Sequence, residues 1–268
     1  MPATFWSNSQ FTMSTECDTC GFAASGPEYD RTTRTIALAG NPNVGKTSVF
    51  NALTGLRQHT GNWPGKTVLR AQGTYVHNGA QYVVVDLPGT YSLTPRSTDE
   101  EVARDFICFG QPDVTVVVVD ATALERNLNL ALQVTEITDR IVVCLNLIDE
   151  ARRKGMAVDP RRLSEELGVP VIATVARSRR GIEELKDVIA DVASGKITPT
   201  PKPVAYDENI EAAIARVLPG VQELVGDRLS PRWVAMRLIE DDTETLEKIS
   251  HYLGTSVTTD AVPTSVAK

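Results

Sequence analysis

One eight-residue stretch decides the fold of this chain: Gly40-Asn41-Pro42-Asn43-Val44-Gly45-Lys46-Thr47. It matches the pattern G-x-x-x-x-G-K-[ST], in which successive backbone N–H groups curl around the phosphates of a nucleotide. The apolar residues 35–39 before it predict a short buried strand, and apolar residues at helical spacing after it predict a helix. A helix N-terminus and Lys46 supply positive charge there, and the Thr47 hydroxyl is placed to ligate Mg²⁺. The expected nucleotide contacts in this loop are Asn41, Pro42, Asn43, Val44, Gly45, Lys46, Thr47 and Ser48.

Composition narrows the class of protein. The 268 residues are 42% hydrophobic and 23% charged, which suits one α/β domain followed by something smaller. No apolar run approaches the roughly 20 residues that a membrane helix needs, and the start lacks the features of a signal peptide. A net charge of −7 argues against nucleic acid as a partner. Four cysteines are too few for a disulfide scaffold, so we expect a reducing compartment. The lone pair Cys17 and Cys20 lacks a second pair at zinc-site spacing and is expected to be incidental, with metal or redox use as the alternative.

A second phosphate-site element follows at the end of a predicted hairpin. Residues 68–76 and 80–85 predict two strands joined through Asn78-Gly79, a signal of a type I′ turn. The second strand ends in Asp86-Leu87-Pro88-Gly89. A carboxylate at the end of a strand beside the phosphate loop is typical of a Mg²⁺ site, and the Gly89 N–H is expected to face a terminal phosphate.

The choice of base is indicated by the strand at 141–145, which ends in Asn146-Leu147-Ile148-Asp149. The Asp149 carboxylate would accept hydrogen bonds from N1–H and from the exocyclic amine of guanine, and adenine offers neither donor there. After the last predicted strand, Val175 and Ala176 are expected to contact the base through their backbone. A plain strand-to-helix loop remains the alternative at that position.

Strands that alternate with helices predict an α/β fold with a mostly parallel sheet and helices on both faces, followed by a small all-α domain. Together with the motifs at 40–47, 86–89 and 146–149, this indicates a P-loop GTPase (Ras-like) fold. Residues 57–67 are too irregular for a helix or a strand, and with 90–98 they are candidate nucleotide-sensing switches. Thr243 is expected to cap the last helix. The predicted division is a disordered arm (1–33), the G domain (34–194), a Pro-rich linker (195–204), the helical domain (205–255) and a disordered tail (256–268).

Several of these motifs have sequences that are not shared by GTPases at large. The stretches 40–47, 61–67, 86–93, 120–128 and 146–149 together resemble the cytosolic G domain of the ferrous iron transport protein B family, over about residues 34 to 192. The resemblance implies that Thr67 contacts Mg²⁺ and the γ-phosphate, so that Thr47, Thr67 and Asp86 form the Mg²⁺ site. It also implies that Asn43 ligates K⁺ together with the carbonyls of Gly61 and Trp63. The catalytic groups are then Lys46, Thr67, Gly89 and Asn43.

The same resemblance implies a function. The chain is expected to be the GTP-binding, slowly GTP-hydrolysing and potassium-stimulated regulatory domain of a ferrous iron transporter, with GTP/GDP, Mg²⁺ and K⁺ as cofactors. Its expected partners are the membrane-embedded iron-transport region of a longer protein and further copies in a homo-oligomer, with no nucleic acid. It would lie at the cytoplasmic face of the inner (cell) membrane, as a soluble fragment. Thr90 stands where many GTPases carry a water-orienting Gln, which predicts slow turnover.

Two other functions remain open at this point. A soluble potassium-dependent GTPase of ribosome or tRNA maturation shares the Gly-x-Pro-Asn-x-Gly-Lys pattern, although such proteins usually carry a basic RNA-binding module. A nucleotide-binding switch with negligible turnover is the other, and the missing Gln favours it. A turnover assay separates the switch from the GTPase.

Overall fold

The computed structural model describes residues 33–55, 58–63, 68–94 and 97–258. The predictions that concern residues 1–32, Cys17, Cys20 and Thr67 lie outside these ranges, as does the predicted tail from residue 259 onward.

Within these ranges, seven strands form one sheet in the order β2-β3-β4-β1-β5-β6-β7. Their bounds are β1 Thr33–Gly40, β2 Gln58–Asn62, β3 Leu69–His77, β4 Ala80–Asp86, β5 Val114–Asp120, β6 Ile141–Asn146 and β7 Val171–Ala173. β1 pairs in parallel with both β4 and β5, and β6 continues the parallel order, whereas β2 and β3 form an antiparallel edge. This confirms the predicted mostly parallel sheet and places the phosphate loop after its central strand.

Nine helices are assigned within the described ranges: α1 Lys46–Thr54, α2 Thr98–Phe109, α3 Leu124–Ile137, α4 Ile148–Arg153, α5 Pro160–Leu167, α6 Ile182–Ala193, α7 Glu208–Val225, α8 Pro231–Ile239 and α9 Thr243–Leu253. One apolar core lies between the sheet and α1 with α6, and the other lies between the sheet and α2 with α3. Both faces of the sheet are thus covered, which explains why residues 114–119 of β5 are all buried and, apart from Thr115, apolar. None of the helices described here is long and apolar enough to cross a membrane.

Three elements differ from the sequence expectations. Residues 58–62 form the edge strand β2, where the expectation was irregular structure, because β3 offers its backbone groups for antiparallel pairing. The helix α4, which was not predicted, begins after Leu147, whose positive φ of 60° turns the chain. Asp242, and not Thr243, caps α9, since its carboxylate accepts from the Thr245 N–H at 3.2 Å.

The three C-terminal helices pack onto α2 and α3 and share their apolar core. Residues 102–109 of α2 are buried all the way round, because the sheet covers one side of the helix and α9 covers another. Arg104, which is 1% exposed, pairs with Asp105 at 2.7 Å and donates to Thr245 at 2.9 Å. Lys248 donates to Glu101 and, at 3.1 Å, to Asp105. These polar contacts join the helical domain to the G domain.

Both ends of the helical domain are also held. In the Pro-rich linker, the Thr200 N–H donates to Gly168 O and the Lys202 N–H to Leu167 O, each at 3.0 Å. The tail was expected from residue 256, but Val257 is 1% exposed and its N–H donates to Ser250 Oγ at 2.9 Å. The first residues after α9 therefore belong to the packed structure.

Candidate functional site: a phosphate cleft and a base-binding loop

The phosphate loop borders a cleft of about 540 Å³ at the carboxyl edge of β1 and β4. The cleft is lined by Asn41, Pro42, Asn43, Gly45, Lys46, Thr47 and Gly89, seven of the residues predicted for the nucleotide. Val44 is instead buried in the core, and Ser48 lies in the first turn of α1 outside the lining set. Of these two predicted loop contacts, Val44 can offer the cleft only backbone groups.

Backbone geometry in the loop suits an anion. Asn43 and Gly45 both have positive φ, of 67° and 82°, so the chain curls twice before α1. No side chain caps the N-terminus of α1, which leaves its first N–H groups available to a ligand. Gly45 is required because a Cβ there would lie 2.5 Å from Asn146 Nδ2.

The side chain of Lys46, the cation of the loop, contacts the end of β4. Lys46 Nζ donates to the Asp86 carboxylate and, at 2.6 Å, to Leu87 O. Both charged side chains are largely buried, with 12% and 16% exposed. Burial raises the pKa of Asp86, and the neighbouring Lys46 opposes that rise. The carboxylate predicted for Mg²⁺ is therefore paired with the lysine predicted for the phosphates.

Protein groups alone offer little to a metal here. Thr47 is exposed in the cleft, but the described part of the chain has no group of three or more His, Cys, Asp or Glu side chains that could hold a metal ion. One hydroxyl and one carboxylate suit Mg²⁺ only when phosphate oxygens complete its shell. The donor set fits a nucleotide-borne Mg²⁺.

Gly89 forms the wall of the cleft opposite the loop. A Cβ on Gly89 would lie 3.4 Å from Pro42, so the two segments are in close contact. The next residue, Thr90, is 1% exposed; its N–H donates to Gly40 O at 3.2 Å and its hydroxyl to Ser92 O at 2.6 Å. The side chain at the position of the usual Gln is thus turned inward and bonded to its own segment.

Asn146 connects the phosphate loop to the loop after β7. It is 1% exposed, and its Nδ2 donates to Val44 O at 3.0 Å. Its Oδ1 accepts from Thr174 Oγ1 at 3.2 Å and from the Ala176 N–H at 3.1 Å. Thr174 was not predicted as a site residue; its position at the end of the last predicted strand was the available signal. Both polar atoms of the Asn146 side chain are therefore used to hold the two loops together.

Asp149 is the predicted base contact that keeps a free atom. Its Oδ1 is buried and has no hydrogen-bond partner within the described residues. An orphaned carboxylate oxygen is costly unless a ligand supplies a donor, and guanine supplies two. By contrast, the N–H groups of Val175 and Ala176 donate to Arg180 O and Asn146 Oδ1. In this structure those two groups hold the loop in place.

The residues predicted for K⁺ are not brought together. Asn43 is exposed in the cleft, whereas Gly61 lies in edge strand β2, three strand positions from β1 or about 14 Å by ordinary strand spacing. Trp63 is 2% exposed and packs edge-on against Phe106, with ring centroids 5.4 Å apart. Neither Gly61 nor Trp63 lines the cleft.

Comparisons with known proteins place these features in one family. Residues 34–189 match the model of the ferrous iron transport protein B family, and residues 206–263 match that of the FeoB cytosolic helical domain. The Fe(2+) transporter FeoB of Escherichia coli (strain K12) is 41% identical over 215 residues, which are 78% of this chain and 27% of that protein.

Solved structures agree over both domains. The cytosolic domain of the T. maritima FeoB iron transporter in a GDP form is 35% identical, with a TM-score of 0.75 over 89% of this chain and 91% of that one. Its GMPPNP form is 35% identical, with a TM-score of 0.72 over 85% and 89% of the two chains. The chain thus spans only 27% of the E. coli relative but nearly all of these cytosolic domains. Sequence, fold and both domain matches together show that this chain belongs to the ferrous iron transport protein B family.

Proposed function

We propose that this chain binds guanine nucleotides with Mg²⁺ and hydrolyses GTP slowly. The observation that carries the proposal is the unpartnered, buried Oδ1 of Asp149, in the first turn of α4 and three residues after Asn146, which is hydrogen-bonded to the phosphate loop. A carboxylate in that position favours guanine over adenine. The GDP and GMPPNP forms of the T. maritima relative support the same choice.

The proposed roles follow from the cleft. Lys46 turns from Asp86 to the β- and γ-phosphates, which releases Asp86 to hold Mg²⁺ with Thr47 and, by resemblance, Thr67. The Gly89 N–H donates to the γ-phosphate and the phosphate loop holds the β-phosphate. Val175 and Ala176 keep the base loop in position. Mg²⁺, when bound, neutralises charge that develops on the phosphates.

We also propose that potassium stimulates the hydrolysis of GTP. K⁺ beside Asn43 would stabilise charge between the phosphates, as an arginine finger does in other GTPases. For Gly61 and Trp63 to complete its shell, residues 58–63 must leave the edge of the sheet. The inward-turned Thr90 supports slow hydrolysis, and it equally favours a binding switch with negligible turnover as the second candidate.

At the level of the whole protein, we propose that the domain regulates a ferrous iron transporter from the cytoplasmic face of the inner membrane. The family match and the transporters among the relatives support this assignment. The membrane-embedded region of the full-length protein is then the main partner, and association with further copies of the chain is included in the proposal.

The test compares nucleotide binding and turnover in matched variants. Asp149→Asn should lower GDP affinity by about 100-fold and improve binding of xanthosine diphosphate, because an amide can donate to the extra carbonyl of xanthine. Mg²⁺-dependent GTP hydrolysis should be faster in KCl than in NaCl, and the difference should vanish in Asn43→Ala. Unchanged GDP affinity in Asp149→Asn would refute the base assignment. Equal rates in both salts would refute the role of potassium.

A further inference from the structure

Gln133 of α3 holds the segment that follows Gly89. Its Oε1 accepts from the Leu93 N–H at 2.6 Å and from Ser92 Oγ at 3.2 Å. In the described part of the chain, these are the side-chain hydrogen bonds that reach residues 90–94 from another element. One amide oxygen therefore fixes two consecutive residues of a loop.

The held segment continues to the phosphate loop without a break. Ser92 O accepts from the Thr90 hydroxyl at 2.6 Å, and the Thr90 N–H donates to Gly40 O at 3.2 Å. Gly89, directly before Thr90, packs against Pro42. The position of the Gly89 N–H over the cleft is thus determined by the phosphate loop at one end and by α3 at the other.

Gln133 also faces the helical domain. It lines a cavity of about 260 Å³ between the two domains, with Leu93 and Thr94 on one side and Tyr206, Trp233 and Arg237 on the other. Leu93 itself is only 6% exposed and belongs to the shared core. The packing around the cavity restrains where α3 can place the amide.

We propose that Gln133 is a positioning residue that holds residues 90–93 so that the Gly89 N–H is aimed at a terminal phosphate. The proposal deepens the proposed function and rests on it. We call the two hydrogen bonds that Gln133 accepts from Ser92 and Leu93 the Gln133 clamp. Because the Gly89 N–H is proposed to bind the γ-phosphate, loss of this clamp should weaken the triphosphate complex. The diphosphate complex, which depends on Lys46 and α1, should be unaffected.

Two variants of Gln133 separate its hydrogen-bond acceptor from its size. Gln133→Met removes the acceptor at similar length, and Gln133→Glu keeps it. Asn129→Met is the matched control, because Asn129 is exposed on the same helix and lines the same cavity. The affinities for GDP and for a non-hydrolysable GTP analogue are measured for each protein, together with kcat and KM for GTP.

For Gln133→Met, the expected result is a fall of about tenfold in affinity for the analogue and in kcat/KM, with GDP affinity within about twofold of the parent. Gln133→Glu and Asn129→Met should both resemble the parent. Equal losses for GDP and the analogue, or a Gln133→Glu protein as impaired as Gln133→Met, would overturn the positioning role.

A second readout works without nucleotide. Amide hydrogen exchange at Leu93 should be at least about tenfold faster in Gln133→Met than in the parent and in Gln133→Glu. Unchanged exchange would refute the clamp even if nucleotide binding were normal. If the parent protein bound no guanine nucleotide, the proposed function would fail, whereas exchange at Leu93 would still decide whether the clamp exists.

Discussion

Asp86→Asn should increase GDP affinity when Mg²⁺ is absent. In the structure, Lys46 Nζ is held by the Asp86 carboxylate and by Leu87 O at 2.6 Å. To reach a phosphate, Lys46 must leave the carboxylate, and that charge-assisted bond opposes the move by roughly 1.5 kcal/mol between largely buried partners. Removing it predicts an affinity gain of about tenfold.

The assay is titration of GDP into each protein with a chelator present, and again with Mg²⁺. With Mg²⁺ present, the parent should bind GDP more tightly than Asp86→Asn, because the variant has lost the carboxylate that is proposed to bind the metal. Asp120→Asn is the control for net charge, because Asp120 also ends a strand and instead caps Thr122 N at 2.7 Å. Unchanged or lower affinity of Asp86→Asn in chelator would refute the competition between carboxylate and phosphate.

The effect of Asp86→Asn on GDP affinity should also depend on pH. Because burial raises the pKa of Asp86, acid protonates it earlier than an ordinary aspartate and frees Lys46. In chelator, the advantage of Asp86→Asn over the parent should therefore shrink as pH falls through that pKa. Comparing the two proteins at each pH removes the titration of the nucleotide itself. An advantage that stays constant down to acid pH would contradict the assignment.

Three further predictions address the framework of the site. Lys248→Met should lower the free energy of unfolding by about 2 kcal/mol in urea, and a double-mutant cycle with Glu101→Gln should show coupling near 1 kcal/mol, whereas strict additivity would refute the pairing. Asn146→Ala should lower the free energy of unfolding by about 3 kcal/mol, because it leaves buried backbone groups of two loops without hydrogen-bond partners; a loss below about 1 kcal/mol would contradict the role of Asn146. Burial and the bond to Glu136 raise the pKa of Tyr206 to about 12, so phenolate absorbance near that pH should be lost in Tyr206→Phe and move lower in Glu136→Gln. Any stability that this raised pKa contributes is complete below about pH 10 and declines toward pH 12.

The sequence predicted the fold because its signals are local. The loop at 40–47, the strand-terminal Asp86 and the run of β5 each restrict the chain within a few residues, and parallel order then brings the strand ends to one edge. The Asn78-Gly79 turn is confirmed in the same way, with φ of 49° and 79° as a type I′ turn requires.

What the sequence missed depends on contacts between distant segments. No local sequence pattern shows that Lys46 pairs with Asp86, or that the Asn146 amide hydrogen-bonds to two loops. The same is true of the hydrogen bond between Gln133 and the Leu93 N–H. Edge strand β2 was missed because its pairing is supplied by β3 and not by its own periodicity. The roles of Thr67 and of the K⁺ ligands remain predictions.

The burial of α2 on every side has a consequence for cooperativity. Phe106 of this helix supports Trp63 in the G domain, while Glu101 and Asp105 hold Lys248 of the helical domain. A helix that both domains need in order to complete their cores cannot melt with one of them alone. The Pro-rich linker therefore marks a boundary in sequence and not in energy, and calorimetry of the chain should show a single transition whose van't Hoff and calorimetric enthalpies agree.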